Sequence, residues 1–180
     1  MRDVEVAKRD GGLDGQFPDN GMRFLCDEML HRLGRWLRAG GHDTEIAKAG
    51  GPDGPLLHLA LAEGRKFLTR DRAILQRKRA GEVVVLLSSD KVHEQAGHLG
   101  RMLGVDWLAN PFSRCMVCNT ELKAASPAAA ERAPARVRAA NLPICHCTGC
   151  GRLYWPGSHE RRIRETLREF ARLSGHINLH

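Results

Sequence analysis

Apolar positions in the first half of the chain come in short runs, and each run ends on polar or acidic residues. Phe24-Leu25-Cys26 follows Arg23 and stops at Asp27-Glu28, the profile of a short strand. Leu30, Leu33 and Leu37 then share one helical face at i, i+3, i+7 spacing, and Gly40-Gly41 stops that helix. Residues 44–47 read as a second strand and 50–54 as a loop. Asp53 stands where a helix N-cap belongs, with Pro55 in the first turn, where a missing N–H costs little. That helix carries Leu56, Leu57, Leu59, Ala60 and Leu61 and ends at Gly64. A strand over 66–69 ends at Arg70-Asp71, and a short basic helix with Arg72, Arg77, Lys78 and Arg79 follows. The continuous apolar run 83–87 predicts a strand buried on both faces, ending at Ser88-Ser89-Asp90. Val92, Ala96, Leu99 and Leu103 mark a further amphipathic helix.

Strands alternate with helices, so roughly the first 110 residues predict an α/β domain with a mostly parallel sheet. The composition shifts near Pro111. Residues 124–140 are rich in Ala, Pro and Arg and predict a mobile or partly helical insert. Residues 155–173 predict a turn at Gly157-Ser158-His159 and then a charged helix. Residues 1–21 are polar and rich in Gly and Asp, and predict a disordered leader. The expected division is therefore 1–21, 22–110 and 111–180.

Composition narrows the function classes. The 28 Lys and Arg residues outnumber the 21 Asp and Glu, a formal net charge of +7 that favours a polyanionic partner, nucleic acid first. No run approaches the ~20 apolar residues of a membrane span, and residues 1–21 hold no apolar stretch like a signal peptide. A cytoplasmic location is expected. In a reducing compartment, six cysteines point to metal or catalysis rather than disulfides.

Four of the six form matched pairs, Cys115-x-x-Cys118 and Cys147-x-x-Cys150, with 28 residues between them. Thiolates spaced this way converge on one ion, and two such knuckles complete a closed, structural zinc site. Gly149 and Gly151 flank the last ligand and permit a tight turn. Cys145 and His146 stand just before Cys147 and remain alternative ligands.

A second constellation is acidic. Asp27 and Asp71 each follow a strand, and Asp53 begins a helix. In an open parallel sheet the crevice beyond the strands' carboxyl ends is the ligand site, and carboxylates gathered there suit a hard cation such as magnesium or manganese. Such a cation activates water and stabilises charge on a phosphodiester. Asp90 and Asp43 are further candidate acids. Asp53 and Asp71 are equally good helix caps, and capping is the commoner use of such residues. Arg32, Arg35 and Arg38 form a stripe on the first helix that reads either as a solvated face or as a phosphate track. Arg70 could hold a phosphate or pair with Asp27.

The order of these motifs resembles a known family. Phe24-Leu25-Cys26-Asp27-Glu28-Met29-Leu30, Arg32-Leu33-Gly34-Arg35-Trp36-Leu37-Arg38, Gly41-His42-Asp43-Thr44, Leu68-Thr69-Arg70-Asp71-Arg72, Pro111-Phe112-Ser113-Arg114-Cys115 and Tyr154-Trp155-Pro156-Gly157-Ser158-His159 occur in sequence. Over residues 22 to about 165 they resemble the family named for the C-terminal ribonuclease domain of the "Mut-seven" exonuclease. That resemblance implies a PIN-like three-layer domain with a zinc ribbon appended. It also implies a metal-dependent, RNA-directed nuclease site in which Asp27, Asp53 and Asp71 are the acids. The PIN pattern adds one more acid after the first helix, for which Asp43 and Glu45 stand nearby. Hydrolysis of RNA, endonucleolytic in mode, is the function expected. A non-catalytic zinc-ribbon protein that binds RNA is the alternative.

Overall fold

The computed structural model describes residues 21–48, 50 and 53–175, so the expected leader lies almost wholly outside the described residues. Four parallel strands form the central sheet: β1 (Arg23–Cys26), β2 (Thr44–Ile46), β3 (Arg65–Thr69) and β4 (Val84–Leu86), in the order β2-β1-β3-β4. In register, Cys26 of β1 lies between Ile46 of β2 and Leu68 of β3.

Helices cover both faces of the sheet. A 3-10 turn (Glu28–Leu30) leads from β1 into α1 (His31–Ala39), and α2 (Asp53–Glu63) joins β2 to β3. A second 3-10 turn (Arg72–Gln76), α3 (Ala80–Val83) and α4 (Val92–Leu103) follow. Side chains alternate across the strands, so β1 and β3 feed two cores. Phe24, Cys26 and Leu68 pack with Leu33 and Leu37 of α1 and Ala96 and Leu99 of α4. Leu25 and Phe67 point the other way, toward Leu57 and Ala60 of α2, Ile74 and Ala80. This is the α/β domain with a parallel sheet that the alternating pattern predicts, in the three layers the resemblance implies.

Two local expectations change. The basic segment after Asp71 is not one helix. It divides into the 3-10 turn and α3, separated by Arg79, whose left-handed backbone (φ 67°) interrupts helical geometry. The run 83–87 is not a strand buried on both faces. Val83 closes α3, and β4 is an edge strand with Val84 and Leu86 half-buried around buried Val85.

The cysteine-rich part adds a three-stranded antiparallel sheet of β5 (Leu122–Ala124), β6 (Cys145–Cys147) and β7 (Leu153–Tyr154). Between β5 and β6 the Ala/Pro/Arg-rich segment forms two short helices, α5 (Pro127–Ala130) and α6 (Ala135–Ala139). The closing helix α7 (Ser158–Leu173) does not stay with this sheet. Its Ile163, Leu167, Phe170 and Ala171 join the core on the α1/α4 side, where Phe170 meets the rings of Trp36 and Trp107 edge-on. The apolar face of α7 therefore belongs to the α/β core, although it follows the cysteines in sequence. No helix among the described residues is long and apolar enough to cross a membrane.

Candidate functional site

Asp27 leaves the end of β1 as a buried residue, 6% exposed. The Thr69 hydroxyl, at the end of β3, donates to Asp27 Oδ2 at 2.8 Å. Thr69 Oγ1 in turn accepts the backbone N–H of Asp71 at 3.0 Å, and Asp71 Oδ1 caps the following 3-10 turn by accepting Ala73 N–H at 2.9 Å. The ends of β1 and β3 are thus joined by one polar chain. The sheet order explains why it forms there. The chain passes from β1 outward to β2 by way of α1, then returns by way of α2 to β3 on the other side of β1. The crevice between the carboxyl ends of β1 and β3 is the topological switch point, where open parallel sheets hold ligands.

Asp27 makes no ion pair with any described residue, and its Oδ1 makes no hydrogen bond among them. A buried carboxylate without a basic partner is costly. A hard cation answers both deficits, so the donor set at this end fits magnesium or manganese. Arg70, considered as a partner, is exposed and does not bond to Asp27.

The remaining acids fall in different places. The parallel topology starts α2 at the same end of the sheet, which brings the backbone of Asp53 there; its side chain is outside the described residues. Glu28 Oε2 accepts Gly50 N–H at 2.5 Å and ties the approach to α2 back to the end of β1. Asp90 follows β4 on the same side of the sheet, exposed, and does not cap α4, whose N-cap is Lys91. Asp43 is a correction. It precedes β2 and so lies at the amino end of the sheet, opposite the crevice. There its carboxylate pairs with Arg65 Nη1 at 2.8 Å and accepts from Asn119 Nδ2 at 2.7 Å. Burial pushes its carboxyl up, but these partners more than offset that and hold it below the ordinary 3.8. Glu45, exposed on β2, also accepts from Asn119 and does not supply the missing acid.

The basic stripe is also redrawn. Arg38 is buried: its Nε donates to Thr44 O at 2.8 Å and its Nη1 to Val117 O at 2.6 Å, so it braces α1 and β2 against the first cysteine knuckle. Arg32 and Arg35 are exposed. The face of α1 that lines a surface groove carries His31, Arg35 and Arg38, at i, i+4, i+7 spacing, and Arg32 is off it.

The four paired cysteines converge. The Sγ atoms of Cys115, Cys118, Cys147 and Cys150 all lie within 4.8 Å of one another, with 3.3 Å between Cys118 and Cys147 and 3.6 Å between Cys115 and Cys150. Thiolates about 2.3 Å from a tetrahedral zinc stand about 3.8 Å apart, so the cluster fits that ion. Cys145 and His146 sit on β6 outside the cluster, so the thiols that converge are those of the matched pairs.

The two knuckles are the same backbone device used twice. Asn119 N–H bonds Cys115 O and Gly151 N–H bonds Cys147 O, both at 2.9 Å. Cys115 N–H reaches Thr120 O and Cys147 N–H reaches Arg152 O. The residue after each second cysteine is left-handed, Asn119 at φ 69° and Gly151 at φ 72°. Gly149 is needed for another reason: a Cβ there would stand 2.5 Å from Thr120 Oγ1. The surroundings set the thiols' acidity. Burial pushes Cys118 up, but hydrogen bonding with Thr120 and the neighbouring thiols brings it down to about 6. Burial pushes Cys150 up to about 12. Tyr154 adds its hydroxyl 3.1 Å from Cys115 Sγ.

The Arg38 brace and the Asn119 contacts to Asp43 were not anticipated from sequence. The Asn119 position after Cys118 is the one signal that could have shown its backbone role.

Comparison with known proteins agrees with this architecture. The family model for the Mut7-C RNAse domain matches residues 22–167. A human protein named exonuclease mut-7 homolog is 31% identical over 122 residues, which is 66% of this chain and 14% of the relative. The chain thus spans about a seventh of that relative's length. No solved structure matches the chain.

Proposed function

From the premise that this chain belongs to the Mut7-C RNAse domain family, we propose that it is a metal-dependent nuclease that hydrolyses RNA phosphodiesters at the carboxyl-end crevice of its sheet. The observation that carries the reading is the buried, unpaired carboxylate of Asp27 at the switch point, oriented by Thr69. Asp27 and Asp71 are the residues to hold magnesium or manganese, with Asp53 delivered to the same end by α2 and Asp90 flanking it. When bound, such a cation makes an attacking water more acidic and neutralises charge on the phosphate. The chain's own part is positional. Thr69 fixes Asp27 Oδ2 and leaves Oδ1 without a hydrogen bond among the described residues, and the Asp71 N–H fixes Thr69. Exposed Arg32, Arg35 and Arg70 are the candidates to hold phosphates. The cysteine module holds zinc and serves structure. An internal cut is the expected mode, and RNA the expected substrate.

A second reading, a zinc-ribbon protein that binds RNA without cutting it, is favoured by one observation. Asp71 Oδ1 is already spent as a cap, and Asp43 is at the wrong end of the sheet. Incubation of purified protein with labelled RNA, with and without manganese, separates the two. The nuclease reading expects manganese-dependent cleavage that Asp27→Asn reduces by at least about a hundredfold, the scale for losing an electrostatic contact to the reacting centre. Wild-type protein that binds RNA but leaves it intact with every divalent metal establishes the second reading.

A further inference from the structure

A groove of about 430 Å³ separates α1 from the cysteine module. It is lined by His31, Arg35 and Arg38 of α1, Ile46 at the end of β2, Val117 inside the first knuckle and Arg152 just after the second. Among the described residues no carboxylate lines it. Elsewhere, Arg79 pairs with Glu82, Arg114 with Glu121 and Arg164 with Glu160. The exposed side chains of His31, Arg35 and Arg152 have no such partner among the described residues. Three basic side chains from two distant stretches of sequence therefore line one cleft without a carboxylate ion pair among the described residues. Between them Arg38 is pinned by two carbonyls, which leaves its Nη2 without a hydrogen bond among the described residues. Two guanidiniums, Arg35 and Arg152, facing one cleft favour an anion between them.

The groove also has a direction. α1 runs back from the carboxyl end of the sheet, so His31 stands near the crevice and Arg38 near the first knuckle. Ile46 pairs in register with Cys26, the residue before Asp27. One end of the basic cleft therefore opens beside the acidic site. Ile46 and the exposed Val117 add apolar surface of the kind a base can cover.

We propose that this groove holds the phosphodiester backbone of one RNA strand, with Arg35 and Arg152 closing on it from opposite walls and the strand leading to Asp27. A basic channel with apolar surface is how proteins follow a single strand without reading its sequence. The cysteine module is then one wall of the substrate track as well as a structural unit. The direction of the strand rests on the nuclease reading, but the binding itself does not.

Binding of a labelled single-stranded RNA of about a dozen nucleotides, measured over a salt series without added manganese, tests the proposal. Each lost phosphate contact lowers the slope of log affinity against log salt by about 0.7 for a single strand. Arg35→Ala and Arg152→Ala should each show that loss, and the double variant about 1.4. The double Arg→Lys variant should keep most of the slope, because it keeps the charge. Lys91→Ala should match wild type, since Glu94 already neutralises Lys91. A double alanine variant with the wild-type slope overturns the groove while leaving cleavage untouched. Wild-type affinity that does not change with salt overturns the groove and the RNA reading together. Tighter binding of duplex than of single strand overturns the single-strand assignment. Loss of binding in the groove variants, together with a wild type that leaves RNA intact whichever divalent metal is added, sustains the groove and removes the nuclease reading.

Discussion

At the scale of single residues, three aspartates of similar sequence context do different physical work. Asp27 is buried and has no ion pair among the described residues, Asp71 caps a turn, and Asp43 closes an ion pair. Asp71→Asn separates two of these roles. Asn caps about as well as Asp, so the melting temperature should stay within about 1 °C of wild type, given that 1 kcal/mol shifts a domain of this size by about 2–4 °C. If Asp71 also ligates the catalytic cation, manganese-dependent cleavage should nevertheless collapse, and wild-type cleavage by the variant would leave capping as its whole role. Asp43 should show itself in pH. Its folded-state carboxyl titrates below the ordinary 3.8, so the stability it contributes is present above that value and is lost as pH falls through the lower, folded value. Asp43→Asn should cost about 2 kcal/mol near neutrality, the scale of hydrogen bonds to a charged group. The gap from wild type should close at strongly acidic pH, as read from denaturant midpoints in a pH series.

At the scale of elements, the two knuckles carry the most specific sequence signal and the most regular geometry. Each brings two thiols into the four-cysteine cluster with the same backbone hydrogen bonds and the same left-handed fifth residue. Cys118→Ser removes one of four converging ligands and should lower zinc content well below one per chain, measured by elemental analysis. Cys145→Ser should leave zinc content unchanged, because Cys145 sits outside the cluster. The strands were less legible than the knuckles. The run 83–87 is apolar throughout, yet only neighbours in space decide whether a strand is central or at an edge. For the same reason α7 reads as a charged helix near the cysteines, while its apolar stripe packs on α4 and α1.

At the scale of the whole molecule, the cysteine module and the sheet are sewn together at the sheet's amino end. Arg38 donates to Val117 O, and Asn119 bonds the Thr44 N–H, Asp43 and Glu45. α7 then returns the chain to the α/β core. Removal of metal should therefore be felt beyond the ribbon, since binding free energy at such sites is folding free energy. A strong chelator should lower the melting temperature of the whole chain in one transition, by more than about 5 °C if a few kcal/mol are shared. Asn119→Ala should weaken that coupling. Thermal scans that show the α/β domain melting at the same temperature with and without metal would contradict it.

The sequence by itself determined the alternation of strands and helices, the ends of β1 and β3 at Asp27 and Asp71, and the four thiols that converge. Each of these is a local matter of hydrophobic period, turn chemistry or ligand spacing, and a one-dimensional pattern records it directly. Tertiary structure alone decided which end of the sheet an acid occupies. It parted Asp43 from Asp27 although both stand beside a strand, because β1 and β2 run parallel and the two residues flank opposite ends. It likewise buried Arg38, brought His31 onto the basic face and carried Arg152 across from the second knuckle to Arg35. Those placements depend on how the sheet, α1 and the knuckles pack together, and residues more than a hundred positions apart in sequence carry no local trace of the neighbours that packing gives them.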